Sequence, residues 1–127
     1  MYEFHGWFGL ADATDAADTG GLQHVLTDLE EHLGRFEPRP EVRWRQGTPF
    51  LTVHGSTHRP APVQVALDEL LMLLADRLPG SWGILYEGHD GHEARPADKP
   101  LRVRTLTHGR VRESEDSFLT FGLPASP

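Results

Sequence analysis

Apolar residues recur along this chain with two periods, one typical of strands and one typical of helices. Residues 2–10 alternate apolar and polar positions and then become wholly apolar, which predicts a first strand that runs into the core. Asp18 or Thr19 is expected to cap a following helix, and Gly34 to end it. The apolar residues of this helix fall at 3.6-residue spacing: Leu22, Val25, Leu26, Leu29 and Leu33.

Two further strands are predicted after the breaker at residues 38–40. They cover residues 42–45 and 50–54 and flank Gln-Gly-Thr-Pro at 46–49, a sequence suited to a hairpin turn. A second helix is expected to begin near Pro60 and to stop at Pro79. Its apolar residues again show helical spacing: Val63, Leu67, Leu70, Leu71, Leu74 and Leu78.

The remaining strands are predicted at residues 81–86, 101–106 and 110–113, and the last two pair across His108-Gly109. If that turn has two residues, Arg104 faces Glu113 and Arg102 faces Glu115, so that opposite charges meet across the strands. The chain is therefore expected to form one α+β domain over residues 1–127. We predict two layers, a mostly antiparallel sheet with two helices on one face, in the order βαββαβ plus a terminal hairpin. The first six elements follow the ferredoxin-like split βαβ order.

Composition narrows the class of protein. The chain has no cysteine, no apolar stretch near the roughly 20 residues that cross a bilayer, and no export signal at its start, so we expect a cytoplasmic protein. Its formal net charge is −7, which argues against direct binding of nucleic acid. Residues 1–34 hold seven acids and no lysine or arginine, so the net charge lies in the first quarter of the chain. A localised negative field would attract a basic protein.

Histidines supply the densest polar cluster, in which His89 and His92 are three residues apart beside Asp90 and Glu93. The glycines around them disfavour a helix that would aim two imidazoles at one zinc, and no third ligand follows at a recognisable spacing. We therefore predict no metal, cofactor or catalytic residue. Asp12, Asp15 and Asp18 also lack the spacing of a calcium-binding loop.

The three tryptophans are candidates for either core packing or an interface. Trp7 and Trp82 lie in apolar strands and are expected in the core. Trp44 is expected to face the helices, while Arg43 and Arg45 on the alternate face of its strand meet solvent.

Two tryptophan-containing motifs carry a resemblance to a known family. Residues 2–7, Tyr-Glu-Phe-His-Gly-Trp, and residues 80–86, Gly-Ser-Trp-Gly-Ile-Leu-Tyr, resemble the Imm7 family of immunity proteins from bacterial polymorphic toxin systems. The closing Asp116-Ser-Phe-Leu119 with Pro124 agrees more weakly, and the sequence around residues 120–123 departs from the pattern. The matched positions are interpreted as scaffold residues: Gly6, Trp7, Trp82, Gly83 and Tyr86.

The resemblance implies an α+β fold and a cognate toxin that the protein binds and neutralises without catalysis. On this hypothesis the acidic surface occludes a basic surface of the toxin through Asp12, Asp15, Asp18, Asp28 and Glu31. Two alternatives remain open: a small metal-dependent hydrolase that uses His89 and His92, and a regulatory adaptor that binds another protein.

Overall fold

The helices and strands follow the predicted order. The structure, a computed structural model, describes residues 1–12, 19–89 and 101–114. Its elements are β1 (Tyr2–Gly9), α1 (Thr19–Leu33), β2 (Glu41–Arg45), β3 (Thr48–Thr57), α2 (Pro60–Arg77), β4 (Trp82–His89), β5 (Leu101–Thr107) and β6 (Arg110–Ser114). The proposed cap Asp18 lies outside the described residues.

The six strands form one antiparallel sheet in the order β2-β3-β1-β4-β5-β6. Helix α1 connects β1 to β2, and α2 connects β3 to β4, each time across one intervening strand. The split βαβ arrangement is thus confirmed for the first six elements, and the closing hairpin extends the sheet beyond β4. This strand order, which no residue pattern had fixed, puts β1 and β4 at the centre of the sheet and β2 and β6 at its edges.

The β2–β3 hairpin and the β5–β6 hairpin each turn in two residues. Gln46 and Gly47 have φ of 51° and 82°, and His108 and Gly109 have φ of 50° and 73°. Positive φ at both central positions defines the tight turn whose twist matches that of paired strands, and glycine takes that conformation at no steric cost. The first turn is shorter than predicted, because Thr48 and Pro49 already belong to β3.

The predicted register of the closing hairpin is confirmed for Arg104, which lies opposite Glu113. The ion pair is nevertheless diagonal, since Glu113 Oε1 accepts a hydrogen bond from Arg102 Nε at 3.0 Å. The expected partner of Arg102, Glu115, lies outside the described residues.

The core lies between one face of the sheet and the two helices. Strand β1 contributes its even positions, and the helices contribute the apolar stripes that their spacing predicted. The largest fully buried side chains include Tyr2, Phe4, Phe8, Leu29, Leu33, Leu51, Leu67, Leu70, Leu71, Leu74 and Leu78. In the part of the chain that is described, neither helix has the length and apolarity needed to span a bilayer.

Candidate functional site

The side of the sheet opposite the helices, here called the open face, carries an aromatic patch. Trp7 of β1 stacks on Phe50 of β3 with ring centroids 5.2 Å apart and planes 26° from parallel. Phe50 in turn meets Trp82 of β4 edge-on at 6.1 Å. Trp7 and Trp82 are 43% and 39% exposed. The expectation that these two tryptophans lie in the core is therefore wrong.

Strand pleating explains this correction. Successive side chains of a strand point to opposite faces, so Trp7 shares a face with Glu3 and His5, while Phe8 points to the helices. Both Trp7 and Phe8 are apolar, which hides the alternation in the sequence. The same alternation places Trp82 on the open face and Leu85 in the core.

Glycines create room for these aromatic rings. A Cβ at Gly9 would clash with the indole of Trp82, which lies against this residue on the open face. On the core side, a Cβ at Gly83 would clash with the ring and backbone of Phe8, and one at Gly6 would lie 2.8 Å from Val53 Cγ2. Gly6 and Gly83 thus permit close packing against the core, whereas the neighbouring Trp7 and Trp82 face outward.

A shallow depression of about 430 Å³ lies beside the patch on the open face. Its wall includes His5 and His54, a cross-strand pair with ring centroids 6.3 Å apart, together with Tyr86. A second depression, of about 370 Å³, is lined by Arg43 and Arg45. Trp7 and Thr52 line both depressions, so the two are adjacent.

Arginines border the open face at both edges of the sheet. Arg43 and Arg45 of β2 lie opposite Phe50 and Thr48, and they are exposed as predicted. At the far edge, Arg110 and Arg112 of β6 lie opposite Thr107 and Thr105, whose own partners are Trp82 and Ile84. Register therefore puts all four arginines on the face that carries the aromatic patch.

Trp44 occupies the opposite side of β2. It lines a depression with Leu26 and Thr27 of α1, so the expectation that it faces the helices is confirmed. This residue is 50% exposed, comparable with Trp7 and Trp82. The chain therefore exposes one tryptophan on the helix side and two on the open face.

A buried polar cluster joins the sheet to α2 on the helix side. Tyr2 Oη donates a hydrogen bond to Glu87 Oε1 at 2.6 Å, and Arg104 Nη2 donates to Glu87 Oε2 at 3.0 Å. Arg104 Nη1 also binds Asp68 Oδ1 of α2 at 2.5 Å. Glu87 and Arg104 are buried and stabilise each other inside the fold, whereas the Asp68 side chain is 54% exposed.

The cluster changes the acidity of two groups. Burial is the main cause that raises the pKa of Tyr2 far above its usual value, and the hydrogen bond to Glu87 adds to it. Burial lowers the pKa of Arg104, but the hydrogen bonds and charges of Asp68 and Glu87 outweigh that effect, so this pKa is raised. Tyr2 thus stays protonated and Arg104 stays charged.

The acidic residues predicted as an interface are only partly described. Asp12 is half-buried beside Gly80, whose amide donates to the Asp12 carbonyl at 3.2 Å. Asp28 is bound by Arg77 of α2 at 3.1 Å. Glu31 is exposed and forms no ion pair with a described residue. Asp15 and Asp18 lie outside the described residues.

Arg35, which follows Glu31 by four residues, binds Glu69 of α2. Glu30 likewise binds Arg39, at 2.6 Å. Asp28 and Glu30, two of the acids that are segregated in the sequence, are therefore paired with arginines from later in the chain.

Of the histidine cluster at residues 89–93, the structure describes only His89. His89 is the last residue of β4 and not part of a loop, and its ring centroid lies 5.2 Å from that of Tyr2. His92 lies outside the described residues, as do Asp90 and Glu93. Across residues 1–12, 19–89 and 101–114, no three side chains of histidine, aspartate or glutamate are arranged to hold a metal ion.

Sequence reasoning overlooked the open face although its signals were present. The alternation of Glu3, His5 and Trp7 marks the outward positions of β1, and Arg110 and Arg112 are also two residues apart. What the sequence could not supply was the strand order that brings them to one surface.

Comparison with known proteins identifies the family. The chain has no match among the curated proteins or the solved structures with which it was compared. The family model described as immunity protein 7, Imm7, matches residues 1–126, which is essentially the whole chain. The chain therefore belongs to the Imm7 family of immunity proteins.

Proposed function

We propose that this protein binds a cognate toxin domain and neutralises it by covering a surface that the toxin needs, without catalysis of its own. The observation that carries the proposal is membership of an immunity protein family over residues 1–126. We further propose that residues 1–127 act as one domain in the cytoplasm of the cell that makes the toxin.

The acidic surface predicted from the sequence is one candidate for the contact. Glu31 is exposed and available, but Asp28 would have to leave Arg77 before it could bind a toxin side chain. Exposed charges mainly set association rate and register, so a tight complex also needs buried anchors. The open face is the other candidate, and its aromatic patch could supply such anchors.

Co-expression tests the proposed function. The toxin domain encoded by the neighbouring gene is produced in a bacterial host with and without this chain, and survival and co-purification are measured. We expect growth only in the presence of the chain and recovery of both proteins in one complex. A toxin carrying an inactivating substitution controls for expression burden. Growth arrest despite good expression of the chain, with no complex, would contradict the proposal.

The hydrolase alternative is tested separately. Protein purified without a tag is analysed for bound metal, and a His89→Ala, His92→Ala variant is assayed for protection of the host. Absence of metal and intact protection would eliminate the hydrolase, whereas loss of protection together with loss of metal would favour it. A neighbouring gene that encodes no toxin would favour the adaptor.

A further inference from the structure

The open face brings together partly exposed aromatic side chains at its centre and exposed arginines at both edges. No described element covers it, since both helices pack on the other side. Its centre is apolar and aromatic, with Trp7, Phe50 and Trp82 in mutual contact and Ile84 and Tyr86 beside them. Exposed aromatic clusters of this kind are uncommon on monomeric surfaces and typically mark binding sites.

The residue types match those that dominate binding energy at protein interfaces. Tryptophan, tyrosine and arginine are the three types most enriched among interface hot spots, and all three occur on the open face. Aromatic residues lie at its centre and charged residues at its margins, as in a typical interface core and rim. The acidic face of α1 instead offers aspartate and glutamate, which are depleted from such cores.

The charges on the open face indicate the chemistry of the surface that it binds. Among the described residues, register places four arginines on the open face, Arg43, Arg45, Arg110 and Arg112, and two carboxylates, Glu3 and Glu41. Glu41 is already bound by Arg43 at 2.9 Å. A chain of net charge −7 thus presents a basic rim around its aromatic centre. The partner surface that complements the open face carries an apolar projection with carboxylates on both sides of it.

The spacing of the rim agrees with a protein-sized contact. Neighbouring strands lie about 4.8 Å apart, so the arginine pairs on β2 and β6 are roughly 24 Å from one another. That distance is suited to a folded partner that lies across all six strands. A small ligand in the 370 Å³ depression would reach Arg43 and Arg45 alone among these arginines, and the 430 Å³ depression is lined by none of the four.

A second copy of this chain fits the face poorly. Two copies packed face to face would bring arginine edges against arginine edges, because both edges of the sheet are basic. Nucleic acid also fits less well. The aromatic rings could stack on bases, but the overall charge of −7 repels a polyanion.

We propose that the open face is the surface with which this chain binds its toxin, and that the toxin presents there an apolar projection flanked by carboxylates. This inference rests on the proposed function. Trp7 and Trp82 act as the buried anchors, and the four arginines guide and register the toxin.

Binding measurements on the full chain test the proposal, with the inactivated toxin domain of the neighbouring gene as the probe. Trp7→Ala and Trp82→Ala are compared with Trp44→Ala, which removes an equally exposed tryptophan from the helix side. We expect each open-face variant to weaken binding at least about 30-fold, the 2 kcal/mol that defines a hot spot. Trp44→Ala should change the dissociation constant less than about threefold.

Charge reversal provides variants that leave the core intact. Arg45→Glu with Arg112→Glu alters two exposed side chains of the rim, and Arg59→Glu, at an exposed position before α2, is the matched control. The double variant should slow association about tenfold or more at low salt and reduce its salt dependence. The control should leave both unchanged. These variants decide the outcome even if an alanine variant is too unstable to assay.

The possible outcomes separate the two proposals. If the wild-type chain does not bind the toxin, the proposed function fails. If it binds, but the tryptophan and rim variants bind equally well, the open face is not the contact. Trp7-dependent binding of a 20-nucleotide RNA or single-stranded DNA, or a Trp7-dependent dimer in sedimentation velocity, would overturn the proposal in favour of that occupant.

Discussion

Trp7 and Phe8 are neighbours in the chain and belong to opposite faces of the sheet. Phe8 is fully buried against the helices, whereas Trp7 is 43% exposed beside the arginines of β2. The helix side holds tightly packed apolar side chains and the buried polar cluster, and both stabilise the fold. The open face gathers aromatic rings that bury only part of their surface in the free protein. Aromatic residues thus stabilise the core on the helix side and remain partly exposed on the open face.

Truncating Phe8 and Trp7 to alanine, one at a time, tests this comparison with the largest expected effect. Phe8→Ala should lower the free energy of unfolding by about 3–5 kcal/mol, because it opens a cavity in the core beside Gly83. Trp7→Ala should cost about 1 kcal/mol, since much of that ring is already in water. Urea denaturation measures both. A loss for Trp7→Ala as large as that for Phe8→Ala would show that the open face is also structural.

The buried polar cluster gives a second contrast. Glu87→Ala should lower the free energy of unfolding by about 3 kcal/mol, because it leaves Tyr2 without its acceptor and Arg104 with Asp68 alone. Glu113→Ala is the control, since its ion pair with Arg102 is exposed and should contribute less than about 1 kcal/mol. Equal losses in urea denaturation would contradict the assignment of Glu87 to the stabilising face.

The raised pKa of Tyr2 predicts how stability depends on pH. The folded state holds the Tyr2 proton above pH 10, the ordinary pKa of the side chain, whereas the unfolded state releases it. The free energy of unfolding should therefore fall as pH rises above about 10, by up to about 1.4 kcal/mol per pH unit from this group. Denaturation between pH 9 and 11 tests this, with Tyr2→Phe as the comparison. The same slope in both proteins would refute the contribution of Tyr2.

The smallest expected effect concerns the acidic surface. Charge reversal at Asp15, Asp18 and Glu31 together should change the toxin association rate less than about threefold and leave dissociation unchanged, if the open face is the contact. Stopped-flow mixing at two salt concentrations measures the rate. A decrease of tenfold or more, with a weaker salt dependence, would instead favour the acidic surface as the contact.

The fold was largely predictable because its signals are local. Helical spacing identified both buried stripes, and proline and glycine marked the breaks between elements. The end of β4 was missed because Gly88 and His89 look like loop residues, although pairing with Tyr2 on β1 and Leu101 on β5 extends the strand. Polar composition does not reveal that kind of long-range pairing.

The candidate site was less predictable because it depends on tertiary structure. The open face combines side chains from all six strands, and their proximity follows from a strand order that local patterns do not encode. The acidic segment illustrates the same point. Its charges are contiguous in the sequence, but Arg77 and Arg39 neutralise Asp28 and Glu30 after folding.

Oxidative footprinting of the three tryptophans tests the central claim on the wild-type sequence, with no substitution. Trp7, Trp82 and Trp44 are 43%, 39% and 50% exposed, so hydroxyl radicals should modify all three in the free chain. After addition of the inactivated toxin domain, mass spectrometry should show protection of Trp7 and Trp82 and unchanged modification of Trp44. Protection of Trp44, with Trp7 and Trp82 still fully reactive, would contradict the account and place the toxin on the helix side.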